Sequence, residues 1–105
     1  MKYLKSSLKL KRPKLVCIRR VVGDSMLPTL VPNQVVVAIR RFGKVIPGKI
    51  YICSIDELEV IKRVGYLSKD NQVYLLGDNT TSSRDSRQYG LVAIDKLKFR
   101  VLWPL

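Results

Sequence analysis

Short apolar runs separated by turn-forming residues constrain the fold of this 105-residue chain more than any other feature. Pro, Gly, Asn and Asp lie between the runs, and no stretch has a convincing helical period. The predicted strands cover residues 15–22, 34–40, 49–55, 58–66, 73–76 and 97–102. Evenly spaced short strands are typical of small barrels and sandwiches. The sequence therefore predicts an all-β fold, a small single-domain barrel or sandwich of about six short strands.

Positive charge is concentrated at the start of the chain. The formal net charge is +12, and residues 1–20 contain eight Lys or Arg and no acidic residue. We expect residues 1–14 to form a basic N-terminal arm and residues 15–105 to form the folded domain. The arm is either a solvated tail or a segment attracted to an anionic membrane surface, a nucleic acid or an acidic partner.

Apolar runs in this sequence are too short to cross a membrane. The longest covers residues 35–39, whereas a spanning helix needs about 20 residues. The expected location is the cytoplasm, either free or peripheral to the membrane through residues 1–20. Cys17 and Cys53 lie in strand-like runs, which favours buried reduced thiols over a disulfide. With two cysteines and no histidine, we expect no metal site and no cofactor.

The segment GDSMLPTL, residues 23–30, places Ser25 in a turn-like setting that suits a nucleophile. A serine hydroxyl needs a base to accept its proton. Histidine is the usual base, and the chain has none. A different base must therefore activate Ser25 if it reacts.

A lysine in an apolar row is a candidate for this base. In LEVIKRVGY, strand alternation puts Val60, Lys62 and Val64 on one face. If that face points inward, loss of hydration lowers the pKa of Lys62 and makes a neutral amine accessible. The alternative is that Lys62 extends from a half-exposed face to solvent.

The segment GDNTTSSRDSRQYG, residues 77–90, is a long polar stretch in an otherwise apolar chain. A loop of this length in a small domain suggests function. The alternative is a solvent-exposed loop with local turns and a surface Asp–Arg pair.

These three segments, in this order and approximate spacing, resemble the type I signal peptidase-like serine proteases. The resemblance spans residues 23–90 and implies a β-rich catalytic core that uses a Ser–Lys dyad, here without the large inserted β-domain of longer relatives. It implies that Ser25 is the nucleophile and Lys62 the general base. It further implies that the backbone N–H of Ser25 is one oxyanion donor. Some relatives have a second donor, a serine hydroxyl, at the position of Gly23, which has no side chain to contribute.

The same resemblance assigns supporting roles within and around the polar loop. Ser83 corresponds to the serine that orients the lysine amine. Asp85 corresponds to the acid that supports the loop, paired with Arg87. Asp78 is expected to hold the neighbouring Arg63.

The segments SMLPTLVPN and FRVLWP look like those of the small relatives that mature nickel-type superoxide dismutase. The resemblance implies removal of an N-terminal propeptide from that precursor protein, the expected partner. Alternatives are leader-peptide cleavage at the membrane surface, a self-cleaving repressor-type peptidase, and a non-catalytic domain that binds through residues 1–20. Nucleic-acid binding is not expected, because the five tyrosines are scattered and form no basic aromatic face.

Overall fold

The structure, a computed structural model, describes residues 15–81 and 84–105, and these contain seven strands and one α-helix. The predicted basic arm lies outside the described residues. The strands are β1 (Val16–Arg20), β2 (Val35–Arg40), β3 (Ile50–Ile55), β4 (Leu58–Leu67), β5 (Gln72–Leu76), β6 (Val92–Ala93) and β7 (Leu97–Trp103). The helix is α1 (Ser86–Tyr89), and a 3₁₀ turn covers Ile94–Lys96.

All seven strands form one antiparallel sheet in the order β1-β2-β7-β3-β4-β5-β6. The predicted all-β fold is confirmed, and each of the six predicted strands is present. Two short elements are additional: β6, with two residues, and α1, with four. Neither is long enough to display a period in sequence. No helix in the described ranges is long and apolar enough to cross a membrane.

The two faces of the sheet bury separate apolar clusters. Strand β3 contributes to both, because alternate side chains point to opposite faces. Ile50 and Ile52 belong to the first cluster, and Tyr51 and Cys53 to the second. The first cluster also contains Cys17, Val21, Met26, Leu30, Val36, Ala38 and Val101, and the second contains Val45, Val64, Val73, Leu75, Val92 and Leu97. Both cysteines are buried thiols that form no disulfide, as predicted.

One open edge on β1 and one on the first half of β4 matter for the candidate site. Within the described residues, β1 pairs with β2 alone. Strand β4 pairs with β3 from residue 58 to residue 63, but its pairing with β5 begins only at Arg63. The first half of β4 therefore has one unpaired edge, and this edge and the end of β1 border the candidate site.

Candidate active site

Lys62 lies on the inward face of β4, as the alternation predicts. It is paired directly with Tyr51 of β3, and its side chain shares the face of Val64, which belongs to the second apolar cluster. Lys62 is only 5% exposed. Burial lowers the pKa of its amine, while the nearby Asp85 carboxylate raises it in part. The position therefore favours the neutral amine that a general base requires.

Ser25 lies in a tight turn anchored by the apolar residues that follow it. Met26 and Leu30 are buried in the first apolar cluster, and the Leu30 N–H donates to the Met26 carbonyl at 3.0 Å. The turn contains a cis peptide bond at Leu27–Pro28. Because the flanking side chains are inserted in the core, the half-buried Ser25 is held at the surface of the sheet.

Ser25 and Lys62 line the same two cavities. One, of about 290 Å³, lies between the end of β1 and the open edge of β4. The other, of about 280 Å³, is bordered by apolar side chains around the β3–β4 turn. The first is also lined by Arg19, Arg20, Val21, Val22, Met26 and residues 59–61, and the second by Ile55, Asp56, Leu58, Val60, Arg84 and Tyr89. A third depression, of about 620 Å³ near β6, contains neither Ser25 nor Lys62. We place the site at the first two cavities because the nucleophile and base candidates converge there.

The start of the polar loop holds the Ser25 turn through backbone contacts. The Asn79 N–H donates to the Ser25 carbonyl at 2.8 Å, and Asn79 Nδ2 donates to the Asp24 carbonyl at 3.1 Å. Thr29 Oγ1 donates to Asp78 Oδ2. These contacts tie the turn to the loop over more than 45 positions in the sequence.

Asp78 also joins the loop to β4. Arg63 donates to both carboxylate oxygens of Asp78, from Nε at 2.8 Å and from Nη2 at 2.7 Å. The Arg63 guanidinium holds the pKa of Asp78 below its ordinary value, and the Thr29 hydroxyl acts in the same direction. The structure thus brings together the Arg63 and Asp78 that the sequence paired.

Asp85 is the centre of the second half of the loop. Its side chain is fully buried and caps the N-terminus of α1, accepting from the Arg87 N–H at 3.0 Å. It also accepts from the Gly77 N–H at 2.6 Å and from Arg87 Nη2 at 2.6 Å. The carboxylate therefore ties α1 to the end of β5, and it contributes negative charge close to Lys62.

The expected roles of Ser83 and of the Gly23 region stay predictions. Ser83 lies outside the described residues, so its expected role as the residue that orients Lys62 stays a prediction. Gly23 is exposed, with φ +80°. That conformation is readily accessible to glycine and strained for other residues. A side chain at this position is therefore disfavoured by the backbone, although a Cβ atom would meet nothing within 4 Å.

Several residues that contribute to the site have no role predicted from the sequence. Thr29 and Asn79 connect the Ser25 turn to the loop, and Tyr89 borders the second cavity. Burial raises the pKa of the Tyr89 phenol to about 12. Thr29 and Asn79 lie within the two segments singled out in the sequence, but their partners depend on contacts that no local pattern encodes.

The search of curated proteins gave no match to the chain. A family model described as Peptidase S24-like matches residues 1–92, which include the Ser25 turn, β4 and the polar loop. That family indicates peptidase activity of the serine-protease type. The match covers most of the sequence, and the chain therefore belongs to the Peptidase S24-like family.

Proposed function

We propose that this protein is a serine endopeptidase in which Ser25 is the nucleophile and Lys62 the general base. The observation that carries the proposal is the convergence of Ser25 and a buried lysine on the same two cavities. Membership of a peptidase family supports it and disfavours the non-catalytic binding domain.

Neutral Lys62 accepts the proton of the Ser25 hydroxyl as Oγ attacks a peptide carbonyl. The tetrahedral intermediate collapses with cleavage of the C–N bond, and the Lys62 ammonium returns the proton to the leaving amine. Water, deprotonated by Lys62 in turn, then attacks the acyl-enzyme. The acyl C–Oγ bond breaks, the Lys62 ammonium returns its proton to Ser25 Oγ, and the second product leaves as a carboxylic acid. Every proton transfer in this scheme passes through the Lys62 amine.

Burial is what makes such a base effective. A lysine with an ordinary pKa near 10.4 is neutral in only about one molecule in 2,500 at pH 7. Each unit by which burial lowers that pKa raises the neutral fraction about tenfold. The low exposure of Lys62 therefore supports its assignment as base.

The substrate is proposed to bind as an extended chain along the open edges. The cavity between β1 and β4 is lined by Val21 and Val22 on one side and by residues 59–62 on the other. Unpaired backbone groups on a strand edge can hydrogen-bond to an added strand. This mode places the peptide backbone beside Ser25 without requiring one particular side chain.

One oxyanion donor in this proposal is the backbone N–H of Ser25. At position 23 a glycine supplies no hydroxyl, so a second donor must be a backbone group or water. Loss of one such donor reduces the rate about 100- to 1,000-fold in a serine protease. We therefore expect slower acylation than in relatives with a serine at this position.

The substrate we favour is the N-terminal propeptide of a nickel-type superoxide dismutase. Its support is the resemblance of the SMLPTLVPN and FRVLWP segments to the proteases that mature this enzyme. The nickel in this scheme belongs to the substrate.

Leader-peptide cleavage at a membrane surface is the second candidate, and one structural observation favours it. Ile18, Val37 and Trp103 form one cross-strand row on β1, β2 and β7. Ile18 is 62% exposed and Trp103 is 57% exposed. An exposed apolar row that follows a basic arm suits peripheral contact with an anionic membrane.

Mass spectrometry of products distinguishes these possibilities. The purified protein and its Ser25→Ala variant are each incubated alone, with a dismutase precursor, and with a leader-peptide precursor in anionic vesicles. We expect a single cleavage at the propeptide boundary by the wild type only. Cleavage of the leader peptide alone would overturn the dismutase assignment, and cleavage of the chain by itself would indicate the self-cleaving class. Equal cleavage by Ser25→Ala would overturn the nucleophile assignment.

A further inference from the structure

An ion pair crosses one end of a cavity that Ser25 and Lys62 both line. Arg19 of β1 donates to both carboxylate oxygens of Glu59 of β4, from Nε at 2.5 Å and from Nη2 at 3.2 Å. Both residues line the cavity of about 290 Å³ between the end of β1 and the open edge of β4. The pair therefore joins the two walls of this cavity, and it has no part in the chemistry proposed for Ser25 and Lys62.

The cavity has a charged end and a catalytic end. Arg19 lies against Glu59 at the charged end. Lys62 follows Glu59 by three residues, which corresponds to about 10 Å of extended strand. Ser25, which lines the same cavity, likewise follows Arg19 in the chain. On both walls the chain therefore runs from the charged end to the catalytic end, and a bound extended peptide that spans the cavity reaches the ion pair.

The floor of the cavity changes from apolar to charged along this direction. Arg19 shares the face of β1 that carries Cys17, a member of the first apolar cluster. Glu59 shares the face of β4 that carries Ile61, which packs against the same cluster. Ile61 and the buried Met26 also line the cavity. The floor is thus apolar at the catalytic end and charged two residues further away.

Positive charge predominates at the charged end. Arg20 also lines the cavity, and its Nη1 donates to the Asn33 carbonyl at 2.7 Å. Glu59 is the only acidic residue that lines this cavity in the described part of the chain. Each guanidinium has five N–H donors, of which the contacts of Arg19 and Arg20 with Glu59, Ile18 and Asn33 use only a part. A carboxylate entering here meets donors, whereas an ammonium would have to compete with Arg19 for Glu59.

We propose that the Arg19–Glu59 pair is a specificity-determining element that selects an acidic side chain of the substrate. The proposal rests on the peptidase function proposed above and adds the class of peptide. In an extended peptide, alternate side chains point to one face about 7 Å apart. The floor therefore accepts an apolar side chain beside the reacting bond and an Asp or Glu two residues further from it. The residue between them points away from the floor and is not selected by it.

The exposure of the pair limits the size of the effect. The Arg19 and Glu59 side chains are 38% and 46% exposed, and ion pairs in such positions contribute little to folding. Variants at these two positions should therefore keep the fold. A substrate carboxylate beside Arg19 is partly hydrated as well, so we expect a preference of about three- to tenfold in kcat/KM over a neutral side chain.

A peptide library tests this preference. The library is a bacterial proteome digested with a lysine-specific protease, which leaves acidic and apolar residues inside the peptides. The wild type, Arg19→Met and Glu59→Gln each cleave it, and mass spectrometry identifies the residues around every new terminus. For the wild type we expect Asp and Glu to be enriched about threefold or more two residues beyond the apolar position. The enrichment should disappear in Arg19→Met and increase in Glu59→Gln, which leaves the Arg19 charge without its carboxylate.

A matched control separates this element from general attraction by a basic protein. Lys98→Met removes an exposed charge on β7, outside the cavity, and should leave the enrichment unchanged. Equal enrichment in the wild type and Arg19→Met would overturn the proposal, as would equal loss in Arg19→Met and Lys98→Met. Enrichment of Lys or Arg by Glu59→Gln would contradict it as well. Urea midpoints close to that of the wild type should show that all three variants are folded.

Binding without cleavage separates this proposal from the proposed function. Ser25→Ala is incubated with the same library, and the bound peptides are recovered by size-exclusion chromatography and identified by mass spectrometry. We expect bound peptides to carry an acidic residue two positions from an apolar one about threefold more often than unbound peptides. Absence of this enrichment would overturn the specificity proposal even if the wild type cleaves peptides. Enrichment without any cleavage by the wild type would overturn the peptidase function alone.

Discussion

Strand β4 and the loop that follows β5 supply the two halves of the candidate site in different ways. Lys62 takes its position from the alternation of β4, with Val64 next along the same face and Tyr51 directly opposite. The loop positions its side chains through individual hydrogen bonds, several of which end on Asp78 or Asp85. The position of Lys62 therefore depends on the alternation of the strand, whereas the loop depends on the carboxylates of Asp78 and Asp85.

This difference predicts different responses to mutation. Replacing one polar side chain on β4 leaves the backbone ladder with β3 intact. Replacing a buried carboxylate of the loop leaves several donors without an acceptor at once. Substitution of a polar residue on β4 should therefore reduce activity without reducing stability. Substitution of a buried carboxylate in the loop should reduce both.

The largest expected effect is on activity, from Lys62. Lys62→Met should reduce kcat/KM by a factor of about 100 to 10,000, the usual contribution of a general base. The same variant should unfold at a higher denaturant concentration than the wild type, since it removes a buried amine that is costly to charge. Paired peptide-cleavage and urea-unfolding assays test this. Loss of activity together with loss of stability would show that Lys62 is structural.

Replacing a buried carboxylate of the loop should instead reduce stability. Asp85→Ala removes the acceptor of the buried Gly77 N–H and the cap of α1, which together cost about 2–4 kcal/mol in the free energy of unfolding. Asp70→Ala, at an exposed turn, is the matched control and should change stability by no more than about 0.5 kcal/mol. Equal urea midpoints for the two variants would contradict the central role of Asp85.

If Lys62 is the proposed base, activity should rise with pH through its lowered pKa, because only the neutral amine accepts a proton. Below that pKa, kcat/KM should fall about tenfold per pH unit. Between the lowered pKa and the ordinary lysine pKa of about 10.4, Lys62 binds more protons in the unfolded chain than in the folded one. The free energy of unfolding contributed by Lys62 therefore rises with pH across this window. Measuring the free energy of unfolding of the wild type and of Lys62→Met over a range of pH isolates this contribution. Equal dependence on pH in the two proteins would exclude it.

The smallest expected effect concerns the turn that carries Ser25. Gly23→Ala should destabilise the fold by about 1–2 kcal/mol, because φ +80° is strained for alanine. Ser25→Ala is the control, since it lies in the same turn and should change stability by less. Urea unfolding of both variants distinguishes a backbone requirement at position 23 from general sensitivity of the turn.

Much of the strand half of the site could be predicted from sequence. The period of two in LEVIKRVGY placed Lys62 among valines, and the structure buries it there. Alternation is a local property of extended backbone, so it needs no knowledge of the partner strands. The burial of Cys17 and Cys53 was predicted from their positions in strand-like runs in the same way.

The contacts of the loop could be predicted only in part from the sequence. Resemblance to known proteases paired Asp78 with Arg63 and Asp85 with Arg87, and both contacts are present. It did not indicate that Asn79 binds the backbone of Asp24 and Ser25, nor that α1 begins at Ser86. Such contacts join segments distant in sequence and have no periodic signature.

By itself, then, the sequence determined an all-β fold, a serine in a turn and a lysine on an apolar strand face, because strand periodicity and turn chemistry are local. The tertiary structure alone decided that the unpaired edge of β4 and the end of β1 border one cavity, and that Ser25 and Lys62 both line it. It also decided that Arg100 lies beside Tyr51, through the pairing of β7 with β3. Strand order is set by which faces can be buried together, and that depends on the whole chain.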